Sequence, residues 1–87
     1  MAYILGREEL KYDKNRLTRS VQKISLANQM PIGEAENFAR QVVNRVESWI
    51  SDKVEITPAE LRTQTAVVMA EYDPEAAYLY ENENKFF

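Results

Sequence analysis

The chain has no cysteine and no histidine. Without cysteine there is no disulfide framework and no thiolate metal site. Without histidine the commonest general base and the commonest transition-metal ligand are both missing, which excludes zinc, haem and histidine-based triads. Glycine is scarce as well. The two present, Gly6 and Gly33, are too few for a Walker-type phosphate loop. With three prolines beside them, little of the chain is left for linkers. No apolar run approaches the roughly 18 residues that span a bilayer. The N-terminal apolar stretch is only Tyr3-Ile4-Leu5, so no signal peptide is expected and the cytoplasm is the expected location. There is no heptad array, no repeat at 20–50 residues and no low-complexity tract. Paired carboxylates such as Glu34/Glu36 and Glu81/Glu83 stand at i, i+2 and do not face each other on a helix. With no poised base and no nucleophile pair, the chain is not expected to be an enzyme.

What is present is enough for one domain: 87 residues, 45% of them hydrophobic. The net charge is -3, unevenly spread. Residues 1–23 hold six Lys/Arg against three acids, whereas residues 24–87 hold five against eleven. An acidic whole argues against duplex nucleic acid as a partner, while the basic N-terminal quarter leaves room for one small anion.

Hydropathy patterning gives the expected elements. Residues 2–12 read as a β-hairpin, with Gly6-Arg7-Glu8 as its turn and Leu10 and Tyr12 on one face. Asp13 then caps a helix over about residues 14–28, whose Leu17, Val21, Ile24 and Asn28 share one side. Arg16, Arg19 and Lys23 form a separate basic stripe on that helix, within about 60° of each other. Pro31 lies in the turn to the strongest helix, residues 34–51. Its stripe runs through Ala35, Phe38, Ala39, Val42, Val46, Trp49 and Ile50. Val54-Glu55-Ile56 suits one short strand. Thr57-Pro58-Ala59-Glu60 is a capping box with proline at the first helical position, opening a helix over 58–71 with Leu61, Thr65, Val68 and Tyr72 on one side. Asp73-Pro74 starts a last helix over 74–83, with Ala76, Leu79 and Tyr80 inward. The expected fold class is α+β: a four-helix bundle capped by an N-terminal β-hairpin plus one short strand, all in a single domain, residues 1–87.

This order of elements, with Tyr12-Asp13-Lys14-Asn15-Arg16-Leu17, Ile56-Thr57-Pro58-Ala59-Glu60-Leu61 and Val68 to Tyr80 at its joints, resembles the ATP-cone domain. ATP-cones are nucleotide-sensing modules at the N-terminus of many ribonucleotide reductases, and they also occur in the repressor of reductase genes and in some kinases. The resemblance is to a divergent member. The family's phosphate-gripping Lys-Arg pair precedes the hairpin glycine, where this chain has Ile4-Leu5. The hairpin is also one residue longer, and Glu81-Asn82-Glu83-Asn84 replaces the basic residue after the last aromatic. What the resemblance implies is a regulatory domain that senses ATP or dATP, with magnesium if bound, and controls protein assembly or self-association. It assigns nucleotide contacts to Asp13, Arg16 and Thr57. Arg19 on the same stripe, and Arg7 across the turn, stand in for the missing pair.

Each of these residues also has a plainer reading. The stripe can be a solvated helix face, and Asp13 and Thr57 can be caps and nothing more. Phe38 and Trp49 read as core. Tyr3, Tyr12, Tyr78 and Tyr80 suit either base stacking or closure of the core. Phe86-Phe87, two terminal aromatics, suggest a partner surface. The alternative function is therefore a small helical protein-interaction module, an adaptor or inhibitor that binds no nucleotide, acting through its acidic last helix with Tyr78, Phe86 and Phe87.

Overall fold

A computed structural model describes residues 3–4 and 10–83. Four helices dominate it: α1 (Lys14–Ala27), α2 (Ile32–Ile50), α3 (Pro58–Ala70) and α4 (Pro74–Glu83). Helices α1 and α2 pack together, as do α3 and α4. Helix α2 also meets α3 and α1 meets α4, so α1 and α3 lie across the diagonal of the bundle. The core runs from Leu17, Val21 and Ile24 of α1, through Phe38, Val42, Val43 and Val46 of α2, to Leu61, Val68 and Met69 of α3 and Ala76 and Tyr80 of α4.

The fold class is mostly helical, which corrects the α+β expectation. Among the described residues strand is confined to three two-residue segments: β1 (Tyr3–Ile4), β2 (Leu10–Lys11) and β3 (Glu55–Ile56). They pair in the order β2-β1-β3, with β1 antiparallel to β2 and parallel to β3. A two-residue strand offers one side chain to each face, so pieces this short add a patch to the bundle and no second layer. The expected hairpin turn, Gly6-Arg7-Glu8, and the terminal Phe86-Phe87 lie outside the described residues.

Local chemistry explains the helix ends. The Asp13 Oδ1 accepts from the amides of Asn15 (3.0 Å) and Arg16 (3.2 Å). Thr57 and Glu60 form a reciprocal capping box: the Glu60 amide donates to Thr57 Oγ1 at 3.0 Å and the Thr57 amide to Glu60 Oε1 at 2.8 Å. Asp73 caps α4 and also accepts from Asn28 Nδ2 at 3.3 Å, tying the end of α1 to the start of α4. Helix α1 ends in a Schellman arrangement. The Met30 amide reaches back to Ser25 O and the Gln29 amide to Leu26 O, while Gln29 sits at φ 66°, a position glycine usually takes. The polar groups of the interior are satisfied locally. Ser20, Ser25 and Thr65 donate to the carbonyls of Leu17, Val21 and Leu61, and Ser20 also shares a 3.1 Å hydrogen bond with the buried Tyr80 hydroxyl.

Two positions, at the start of α2 and just past the end of α3, differ from expectation. The helix begins at Ile32, so Gly33 lies inside its first turn instead of in the connection. Tyr72 stays exposed and sets its ring edge-on to Phe38 at 5.9 Å. A Cβ at Gly33 would meet open space. Gly33→Ala should therefore stabilise the protein by up to about 1 kcal/mol through the lower backbone entropy of the unfolded chain. Urea denaturation of the two proteins checks this.

Candidate functional site

A polar cluster that ties two elements together surrounds the start of α1. Tyr12 leaves β2 and lies half-buried against the core, where its hydroxyl donates to Glu47 Oε2 of α2 at 3.1 Å. Lys14 Nζ reaches the other oxygen of the same carboxylate at 3.6 Å. Burial raises the Tyr12 phenol far above its ordinary pKa, and the neighbouring Glu47 charge raises it further, because both disfavour a phenolate there. The cluster pins the chain entering α1 onto the far half of α2.

The residues singled out from the sequence do not converge around it. Arg7 lies outside the described residues. Asp13 uses one carboxylate oxygen on two α1 amides, and the Thr57 hydroxyl is committed to the α3 cap. These two caps also diverge in space. Lys11 pairs with Tyr3 while Ile56 pairs with Ile4, so the chain leaves β2 at one end of the small sheet and β3 at the other. Since β2 and β3 are the outer strands, about 10 Å separates them across the sheet as well. Arg16 and Arg19 are brought together: both are exposed, one turn apart on α1. Among the described residues neither has an ion-pair or side-chain hydrogen-bond partner. Their stripe points about 130° away from the direction of Leu17, Val21 and Ile24, out into solvent. Of the tyrosines, Tyr80 is buried and Tyr78 is exposed.

Two grooves flank these residues. One, of about 360 Å³, lies between α1 and α2, with Lys14, Thr18 and Gln22 on one wall and Glu36 and Arg40 on the other. Its mixed charge favours no single sign of ligand. The other, of about 290 Å³, lies between α3 and α4; the buried Ala66 and Ala77 and the exposed Ala70 line it together with Val67 and Tyr78. Val67 is 51% exposed and Tyr78 68%. Among the described residues no group of acidic side chains is arranged to hold a metal ion.

The outward positions of Val67 and Ala70 in this groove are not among the site residues expected from the sequence. Their signal is present in the run Ala66-Val67-Val68-Met69-Ala70. Five consecutive apolar residues on a helix sweep its whole circumference at about 100° each, so some must face outward. None of the known protein-family models, curated proteins or solved structures compared with this chain matches it.

The Tyr12 contact has a pH signature. A phenol whose pKa is raised by folding contributes stability that is complete below the unfolded value of about 10 and is lost as pH rises beyond it. The denaturation midpoint of the wild type should therefore fall more steeply above pH ~10 than that of Tyr12→Phe. Midpoints measured across the alkaline range test this, and parallel curves would show that burying Tyr12 beside Glu47 carries no such linkage.

Proposed function

We propose that this chain is a small helical interaction module that acts by docking on another protein and carries out no chemistry of its own. The observation that supports this reading is the outward face of α3 and α4. There Val67 and Tyr78 stand exposed on either side of an alanine-lined groove, although the same helices bury a full set of core residues inward. Single exposed apolar side chains are ordinary, whereas two that flank one groove on neighbouring helices form a patch that a partner can cover. A cytoplasmic setting fits a chain without cysteine, which gains nothing from an oxidising compartment. Neither a membrane nor duplex nucleic acid is part of this reading. Among the described residues no helix is long and apolar enough to cross a membrane.

A second reading is the nucleotide-sensing one implied by the likeness to ATP-cones, in which ATP or dATP with magnesium biases assembly. It is favoured by Arg16 and Arg19, two exposed guanidinium groups one turn apart with no ion-pair partner among the described residues. Planar guanidinium forks suit phosphate oxygens. Against it stand Asp13 and Thr57, whose side chains are engaged as caps of helices that start from opposite edges of the small sheet.

Two measurements separate the readings. Val67→Asp and Tyr78→Ala change exposed side chains and should alter stability by no more than about 0.5–1 kcal/mol. Each should abolish co-purification of the proteins that wild type retains, and retention unchanged by both variants would overturn the docking face. Calorimetry with ATP, dATP and ADP should give no heat of binding at millimolar concentration on the first reading. On the second it should give binding that Arg16→Ala weakens by about 1–3 kcal/mol.

A further inference from the structure

The groove between α3 and α4 carries charge as well as apolar walls, and the charge says what it takes. Residues 58–83 hold six carboxylates and one guanidinium, Arg62. Arg62 lies about 140° around α3 from Val67, away from the groove wall. Helix α4 itself contains no Lys or Arg. Its exposed carboxylates Glu75 and Glu81 stand about 60° to either side of Tyr78, and Glu81 lines the groove. Glu71 beyond the end of α3 is already paired with Arg45, whereas Glu75 and Glu81 have no side-chain partner among the described residues. The short side chains of the buried Ala66 and Ala77 and the exposed Ala70 leave the space between Val67 and Tyr78 open to a large side chain.

We infer that this groove seats an amphipathic helix of another protein, whose large apolar residue enters between Val67 and Tyr78 and whose flanking Lys or Arg residues meet Glu75 and Glu81. The inference rests on the interaction-module reading and adds the chemistry of the partner. A helix laid in a groove is a recurrent mode of recognition in which apolar anchors supply affinity and flanking charges select the partner. A second copy of this chain is a poor occupant. Two copies set face to face about a two-fold axis would bring the same acidic α4 residues together, and like charges brought together at an interface oppose association.

Two synthetic helical peptides with the same Leu/Phe face, one flanked by Lys and the other by Glu, test the charge rule on the full chain. The Lys-flanked peptide should shift the amide resonances of Val67, Ala70, Ala77, Tyr78 and Glu81, and bind on the order of tenfold or more tighter than the Glu-flanked one. The double variant Glu75→Lys/Glu81→Lys, which changes only exposed positions, should reverse that preference. Equal binding of both peptides in the groove, or a preference for Glu flanks, would overturn the basic partner and leave the docking face standing. Binding of neither peptide at millimolar concentration, or shifts confined to Arg16–Lys23, would overturn both. Sedimentation that shows the chain dimerising through Val67 and Tyr78 would replace the foreign helix with a second copy and so overturn the inference.

Discussion

Helix α2 buries Ala35, Phe38, Ala39, Val42, Val43, Val46 and Ile50 over about 140° of its circumference, and that width lets one helix hold two neighbours at once. A narrower stripe would seat α1 or α3, not both. The stripe is mostly valine and alanine, side chains short enough for neighbouring helices to approach closely. Helix α4 is the shortest of the four and joins the bundle through Ala76, Ala77 and the fully buried Tyr80, whose hydroxyl is held by Ser20 of α1. A buried phenol needs such a partner, since a lost hydrogen bond in the interior costs more than a made one returns.

Single polar ties fasten the elements where the apolar core ends. Tyr12 and Lys14 share Glu47, Asn28 meets Asp73, and Arg45 bridges to Glu71 beside Tyr72. These ties hold the ends of helices whose middles are held by packing. What they leave over is the surface available for function. Helix α1 turns Arg16 and Arg19 to solvent, and α3 and α4 turn Val67 and Tyr78 outward beside a groove lined with alanine. The two surfaces differ in chemistry because the basic residues cluster before residue 24 and the acidic ones after it.

Much of the helical framework can be read in the residues themselves. Asp13, Thr57-Pro58 and Asp73-Pro74 mark helix starts because a carboxylate or hydroxyl there can reach amides that have no intrahelical partner. Other features escape such reading. Gln29 at positive φ takes a position where glycine is the usual signal, so the end of α1 carries no glycine to mark it. Ile32 and Gly33 join α2 although a proline and a glycine suggest a longer turn. Tyr72 falls on the inward period of α3 yet stays exposed, because α3 stops at Ala70 and the chain turns before Tyr72 can follow it. The α+β expectation failed because local alternation of side chains says that a strand is tolerated, not how long its ladder runs.

Caps and residue spacing alone show where α1, α3 and α4 begin, which side of α1 and α2 is apolar, that no thiolate or imidazole chemistry is available, and that positive charge gathers near the N-terminus. Those properties are local: they depend on spacing along one helix, on a cap and the amides beside it, or on composition alone. The packing of the helices and strands sets which residues share a site. It set the caps Asp13 and Thr57 on opposite edges of a small sheet, joined Tyr12 to Glu47 across 35 positions of the chain, and opened the α3–α4 groove between Val67 and Tyr78. Those relations follow from how four helices divide one core among them, and residue spacing along a single helix carries no record of which neighbour will cover it.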